Sequence, residues 1–164
     1  MTDPTDPVRP ADAQARTLAR TLVQRAGTAG LSFLHPQNGA PFISRIAIGT
    51  GPQGELTALL SGIALHSQAL RIAPAAALLI GEVAPKGDPL ASPRLALQVI
   101  AQVLARDDDQ HQVRRETWLK SHPKAALYID FADFFFVRFG ISGGILNGGF
   151  GKAFYIDPSD LEAD

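Results

Sequence analysis

The sequence predicts a mainly β fold, a closed antiparallel β-barrel with α-helical decoration. Three observations carry this expectation. Short apolar runs recur along the chain; the tight-turn signals Asn38-Gly39 and Gly51-Pro52-Gln53-Gly54 join the first three of them; and the regular strand–helix alternation of a parallel sheet is missing. Closing six or seven such short strands into a barrel removes the edges they would otherwise expose.

The elements follow in order. Residues 1–10, polar and interrupted by proline, are expected to be a flexible tail, leaving 11–164 as a single domain. Ala15, Leu18, Leu22 and Val23 recur at helical spacing from Asp12 to Ala26, and Gly27 is the expected C-terminal cap. Strand patterns then run from Gly30 to His35, Phe42 to Gly49 and Glu55 to Ser61. Leu65, Ala69 and Ile72 place a short helix between Ala64 and Ile72, which Pro74 ends. Strands follow at Ala75 to Val83 and Pro93 to about Arg106. The acidic triplet Asp107-Asp108-Asp109 reads as a helix N-terminal cap for Gln110 to Ser121, with Pro123 opening a further short helix through Tyr128. Asp133 to Phe139 and Lys152 to Ile156 are the closing strands, linked by a Gly-rich connection. Three consecutive phenylalanines, Phe134 to Phe136, must point to both faces of their strand, and a dimer interface is expected to cover the outer side.

At 164 residues the chain is long enough for one self-sufficient core. Its net charge of −1 argues against a nucleic-acid footprint or a basic membrane-binding surface. With no cysteine there are no disulfides, thiolate metal sites or cysteine nucleophile. The acidic, proline-containing N-terminus lacks the basic and apolar blocks of a signal peptide, so a cytoplasmic location is expected. His35, His66, His111 and His122 are scattered with no zinc-binding spacing, so no metal site is expected. Ser61 lies outside a hydrolase elbow, and Leu146 and Ala153 break any phosphate-loop pattern in the Gly-rich stretch. That stretch reads instead as close backbone approach at a bulge, turn or ligand.

Two segments carry the strongest functional signal. Leu-Leu-Ser-Gly-Ile-Ala-Leu-His-Ser-Gln, residues 59–68, runs a strand into a turn bearing Ser61, His66 and Ser67; Gly-Asp-Pro-Leu-Ala-Ser-Pro-Arg-Leu-Ala-Leu occupies residues 87–97. Together they resemble the pyridoxamine 5′-phosphate oxidase-like FMN-binding split barrels, in particular the haem-iron utilisation branch. The resemblance spans roughly residues 14–156 and implies a six-stranded Greek-key split barrel. It also implies a homodimer with FMN sites at the subunit interface. Arg45, on the second strand, and Ser61, His66 and Ser67 are then the expected flavin and phosphate contacts. Many relatives carry a cation near position 68, where this chain has Gln68, which makes the charge of His66 more important. Arg94 is an expected contact to flavin or partner subunit, with a salt bridge to Asp88 as its structural alternative. Asn147, Phe150 and Lys152 are expected to border the ring.

The function implied is flavin-dependent oxidation or reduction of a small molecule, in which the cofactor carries the electrons. No catalytic protein residue is singled out. The basic Arg-x-His-type ending through which authentic pyridoxamine phosphate oxidases resemble one another is not matched at Gly-Gly-Phe-Gly-Lys, residues 148–152. The alternatives are a haem-binding or haem-utilisation protein, with an axial histidine among His66, His111 and His122, or a flavin-binding module without turnover.

Overall fold

The computed structural model describes residues 7–162. The eight strands are β1 (Val8–Pro10), β2 (Thr28–Leu34), β3 (Pro41–Thr50), β4 (Leu56–Ser61), β5 (Ala75–Ile80), β6 (Arg94–Leu104), β7 (Phe134–Asn147) and β8 (Ala153–Ile156). Helices α1 (Ala13–Arg25), α2 (Leu65–Ile72) and α3 (His111–Ser121) decorate them. The order around the sheet is β7-β4-β3-β2-β5-β6, and β6 pairs back to β7, closing a six-stranded antiparallel barrel. The strand that follows the β2-β3-β4 meander, β5, returns beside β2, which is the Greek-key connection.

Alternation in β6 shows how the barrel fills. Leu95, Leu97 and Val99 are buried inside, while Ala96, Gln98 and Ile100 face outward. Leu31, Ile48, Leu60, Leu78, Val137, Leu146 and Ile156 complete that interior. A second core lies outside the barrel wall, where Trp118, Ala125 and Ile129 cover Leu59, Leu104 and Phe136. Helix α3 and the 3₁₀ turn Pro123–Leu127 therefore cover the outer side of the phenylalanine run within the chain itself. The expected dimer cover for that run is not needed there.

Asp12 caps α1 by accepting a hydrogen bond from the Ala15 amide at 2.8 Å. The C-cap is Ala26 in extended conformation rather than Gly27, because the chain passes straight into β2. The acidic triplet does not cap α3, whose N-cap is Gln110 with no side-chain cap bond; Asp108 instead shapes the turn ahead of it, accepting from the Gln110 amide and from Arg114. Strand β5 ends at Ile80 rather than Val83, and two other boundaries differ more from expectation. Val8 to Pro10 pair in parallel with β8, so the chain is ordered into the sheet before residue 11, while residues 1–6 of the expected tail lie outside the described residues. The Gly-rich 140–147 segment is strand, not connection: β7 continues through it, pairing with β6 and β8.

Glycine makes that continuation possible. Gln98 opposes Gly143 and Val99 opposes Ile141, so Ser142 is the extra residue of a β-bulge. A Cβ on Gly144 would stand 2.4 Å from the Ala96 carbonyl oxygen, a contact that only glycine avoids.

Candidate functional site

The residues singled out from sequence fall at three places on the barrel. Ser61 pairs with Phe134 and Asn147 with Arg94, so the two groups stand at opposite ends of the 14-residue strand β7. Arg45 lies between them, across from Gly30 on β2 and through it Leu79 on β5. It is exposed and directed outward, because its strand neighbour Ile46 is buried inside. One chain does not bring the three groups together.

At the β4–α2 turn the polar groups are already engaged or enclosed. The Ser61 hydroxyl donates to Asp133 Oδ2 at 2.7 Å. Ser67 is fully buried, and its Oγ has no hydrogen-bond partner. His66 meets Phe33 edge-on, with ring centroids 6.3 Å apart, and burial pushes its imidazole below the ordinary range, toward the neutral form. Helix α2 has no side-chain cap. A phosphate dianion needs donors and positive charge that face the ligand. This turn offers an enclosed hydroxyl, a hydroxyl committed to a carboxylate and a neutral-leaning ring, while the cation of α2, Arg71, lies over the Phe135 ring at 4.5 Å to its centroid.

At the other end Arg94 donates to the Leu90 carbonyl at 3.1 Å and the Ser92 carbonyl at 3.5 Å, bracing the 3₁₀ turn Pro89–Ala91. Asp88 instead caps that turn by accepting from the Leu90 amide, so the alternative salt bridge to Arg94 is absent. Asn147 Oδ1 accepts from the Gly149 amide at 3.1 Å, shaping the β7–β8 loop. From that loop Phe150 projects with 79% of its surface exposed, and Lys152 is exposed beside it.

The outer wall between these ends is open. Ile43, Leu79, Ile100, Ile145 and Tyr155 stand exposed on it, among the small residues Gly30, Ala77, Ala96 and Gly143. A cavity of about 470 Å³ is set into it, floored by Ala77, Ala96 and Gly143 and bordered by Gln98, Ile145 and Tyr155. Clustered exposed apolar surface of this kind marks an interaction or ligand surface.

Sequence reasoning missed Asp133, which lies 72 residues from the serine it holds. It also missed the setting of His122, whose ring stacks on Trp118 with centroids 4.0 Å apart and planes 8° from parallel. Four-residue spacing on a helix end was the available signal for that pair.

A family model described as CREG, beta-barrel matches residues 10–162. One solved structure is 40% identical, with 95% of this chain and 100% of that chain covered and a TM-score of 0.85. A protein of unknown function from Agrobacterium tumefaciens is 28% identical over 99% of this chain and 66% of its own, with a TM-score of 0.80. A heme binding protein from Mycobacterium smegmatis is 27% identical over 94% of this chain and 61% of its own, also at 0.80. This chain thus spans less than two thirds of those last two. A pyridoxinephosphate oxidase-family protein from Clostridium acetobutylicum shares the fold at 14% identity, covering 93% of this chain and 100% of its own with a TM-score of 0.66. No curated protein matches. Among the described residues, no helix is long and apolar enough to cross a membrane.

Proposed function

Because the chain belongs to the CREG β-barrel family, we propose that it is a haem-handling split barrel that works as a homodimer. The observation that carries the haem reading is the state of the β4–α2 turn. FMN brings a phosphate dianion to be neutralised, whereas the Ser61 hydroxyl is held by Asp133, Ser67 is sealed and His66 leans neutral. Haem carries no phosphate. It asks for an imidazole to the iron, apolar contact and cations for its carboxylates. The similarity to the mycobacterial heme binding protein supports the same ligand class.

The second copy is argued from the open wall. Ile43, Leu79, Ile100, Ile145 and Tyr155 form an exposed apolar surface that a two-fold axis can bury against itself. Pairing two barrels also offers a way to bring residues from opposite ends of β7, one from each copy, to a shared site.

A flavin reading keeps one specific support. Arg45 is an exposed cation on the same outer wall as the cavity over Ala77, Ala96 and Gly143. In that reading Arg45 serves the flavin, with Arg94, Asn147, Phe150 and Lys152 near its rim, and the bound flavin supplies the redox chemistry toward a small molecule.

Absorbance titration of the purified chain with haemin and, separately, FMN decides between them. Stoichiometric haemin binding with FMN left free is the expected result. Retention of oxidised flavin bands through gel filtration, with haemin unbound, would replace the haem reading by the flavin one.

A further inference from the structure

We infer that the open wall docks a second copy of this chain in one register, face to face about a two-fold axis that runs parallel to the strands between β5 and β6. The inference rests on the homodimer reading above and names the contacts that would carry it.

The ladders set the outer residues in rows. Across β5 and β6, Leu79 stands beside Ala96, Ala77 beside Gln98 and Ala75 beside Ile100. All six point out of the barrel, because Leu78, Ile80, Leu95, Leu97 and Val99 between them are buried. Side-chain size runs in opposite directions on the two strands. From the Leu79 row to the Ala75 row, β5 passes from leucine to alanine, while β6 passes from alanine through glutamine to isoleucine.

A two-fold axis parallel to the strands keeps each row in place and reverses the strand order, so β5 of one copy lies on β6 of the other. Leu79 then meets Ala96 of the second copy, Gln98 meets Ala77, and Ile100 meets Ala75. Every bulky side chain lands on an alanine, the pairing that lets two sheet faces interdigitate about 10 Å apart. Twist turns aligned sheets by about 30°, so the match is closest beside the axis, where β5 and β6 lie. A two-fold axis at right angles to the strands would instead set Gln98 on Gln98 and Ala77 on Ala77, bulk on bulk and gap on gap.

The flanking strands agree with the parallel axis. In the Leu79 row, Gly30 of β2 falls on Ile145 of β7. At the ends of that row Arg45 of β3 comes over Tyr155 of β8, beside which Asp157 lines the cavity. A cation thus arrives at the end of the wall that carries a carboxylate, and the outer residues of β2, β5, β6 and β7 between these ends are uncharged. An uncharged middle with complementary charges at its rim is the pattern of a specific interface. The same register fills the cavity, because Leu79 is carried over the Ala96 floor of the second copy. Each cavity is then built by both copies, with its floor and Tyr155 from one and Leu79 and Arg45 from the other.

The test is an exchange of side-chain size between full-length chains. Leu79→Ala opens a gap over Ala96, and Ala96→Leu sets leucine on leucine. Each change occurs twice in a homodimer, so each variant alone should dimerise at least about tenfold more weakly than wild type in sedimentation equilibrium. Mixed in equal amounts, the two should pair with each other, since the shortened position 79 then meets the enlarged position 96 and the unchanged leucine meets the unchanged alanine. Native mass spectrometry should find the mixed dimer well above the half-share of random pairing. Positions 79 and 96 are neighbours within each chain whichever copy is bound, so a gain seen only on mixing reports contact between copies. Ile100→Ala mixed with Ala75→Leu repeats the exchange in another row and should give the same result, and cooperative thermal melts check that every variant is folded. A wild-type dimer that these variants leave unweakened, or whose variants pair at random, would overturn this register and leave the homodimer reading standing. A wild type that stays monomeric at micromolar concentration would overturn both.

Discussion

Ser61 and Asp133 join the end of β4 to the start of β7 by a 2.7 Å hydrogen bond from hydroxyl to carboxylate. The neighbouring backbone makes the same connection, since the Gly62 amide donates to the Asp133 carbonyl at 2.7 Å. Ser61 is thereby a structural latch at the barrel rim. Ser61→Ala should cost about 1–2 kcal/mol, the range for a hydrogen bond to a charged group that is partly exposed. At about 2–4 °C per kcal/mol for a chain of this size, thermal unfolding should fall by about 2–8 °C. Haemin and FMN affinities should stay where they are. A variant that keeps its melting temperature but changes ligand affinity would return Ser61 to the binding site.

Gly144 is the position where β7 has least room. A Cβ there meets the Ala96 carbonyl oxygen at 2.4 Å and Leu97 Cδ2 at 2.8 Å, and the first of these is backbone that moves only with the β6–β7 ladder. Gly144→Ala should destabilise by at least about 2 kcal/mol, as overpacking does in a close-packed wall. Gly140 is the internal control, because its Cβ would find only the Ile100 carbonyl oxygen at 3.7 Å. Urea unfolding of the two alanine variants should separate them clearly; equal midpoints would show that β6 yields to the added methyl.

These two positions also mark how far the sequence could be read. The barrel and most strands were legible because outward and inward residues alternate cleanly, as in Leu95 to Ile100, whereas the Greek-key order was implied only by the family resemblance. The second half of β7 was not, because glycine carries no alternation: Gly140, Gly143 and Gly144 signal close approach without saying that the approach is a bulged strand. Val8 to Pro10 form a three-residue parallel strand whose register is set entirely by β8, a partner some 145 residues away. At the site, Ser61, His66 and Ser67 were recognisable as a group, but whether a hydroxyl faces a ligand or a carboxylate depends on Asp133, and local spacing says nothing of that pairing.

Leu79 tests the open wall. It is 48% exposed and lies across from Gly30 on β2 and Ala96 on β6, close to the centre of the apolar surface. Placing a charge there leaves the barrel interior untouched, because Leu78 and Ile80 on either side are the residues that point inward. Leu79→Lys should therefore shift the chain from dimer to monomer in analytical ultracentrifugation at micromolar concentration while the melting temperature of the monomer stays cooperative. A dimer that survives both Leu79→Lys and Ile145→Lys would place the interface on another surface.

Two histidines give the fold a pH dependence with a defined sign. Burial lowers the pKa of His66 from 6.5. His111 is lowered by burial first, and then by the charges of Arg106 and Arg114. In both cases the unfolded chain binds its proton more readily than the folded one. Stability is therefore complete above the unfolded value of about 6.5, declines as pH falls from there toward the lower folded values, and levels off beneath them. The carboxylates act in a separate, more acidic window. Asp108, held down by the Gln110 amide and Arg114, and Asp130, held down by Arg115, keep their contributions until pH falls below the ordinary 3.8 of an aspartate. Urea midpoints followed from about pH 7.5 to about pH 4.5 should thus drop mainly through histidine protonation. His66→Asn should remove part of that drop and His66→Asn with His111→Asn most of it. If the double variant loses stability over this range as steeply as wild type, the burial of these imidazoles is not what couples the barrel to protons.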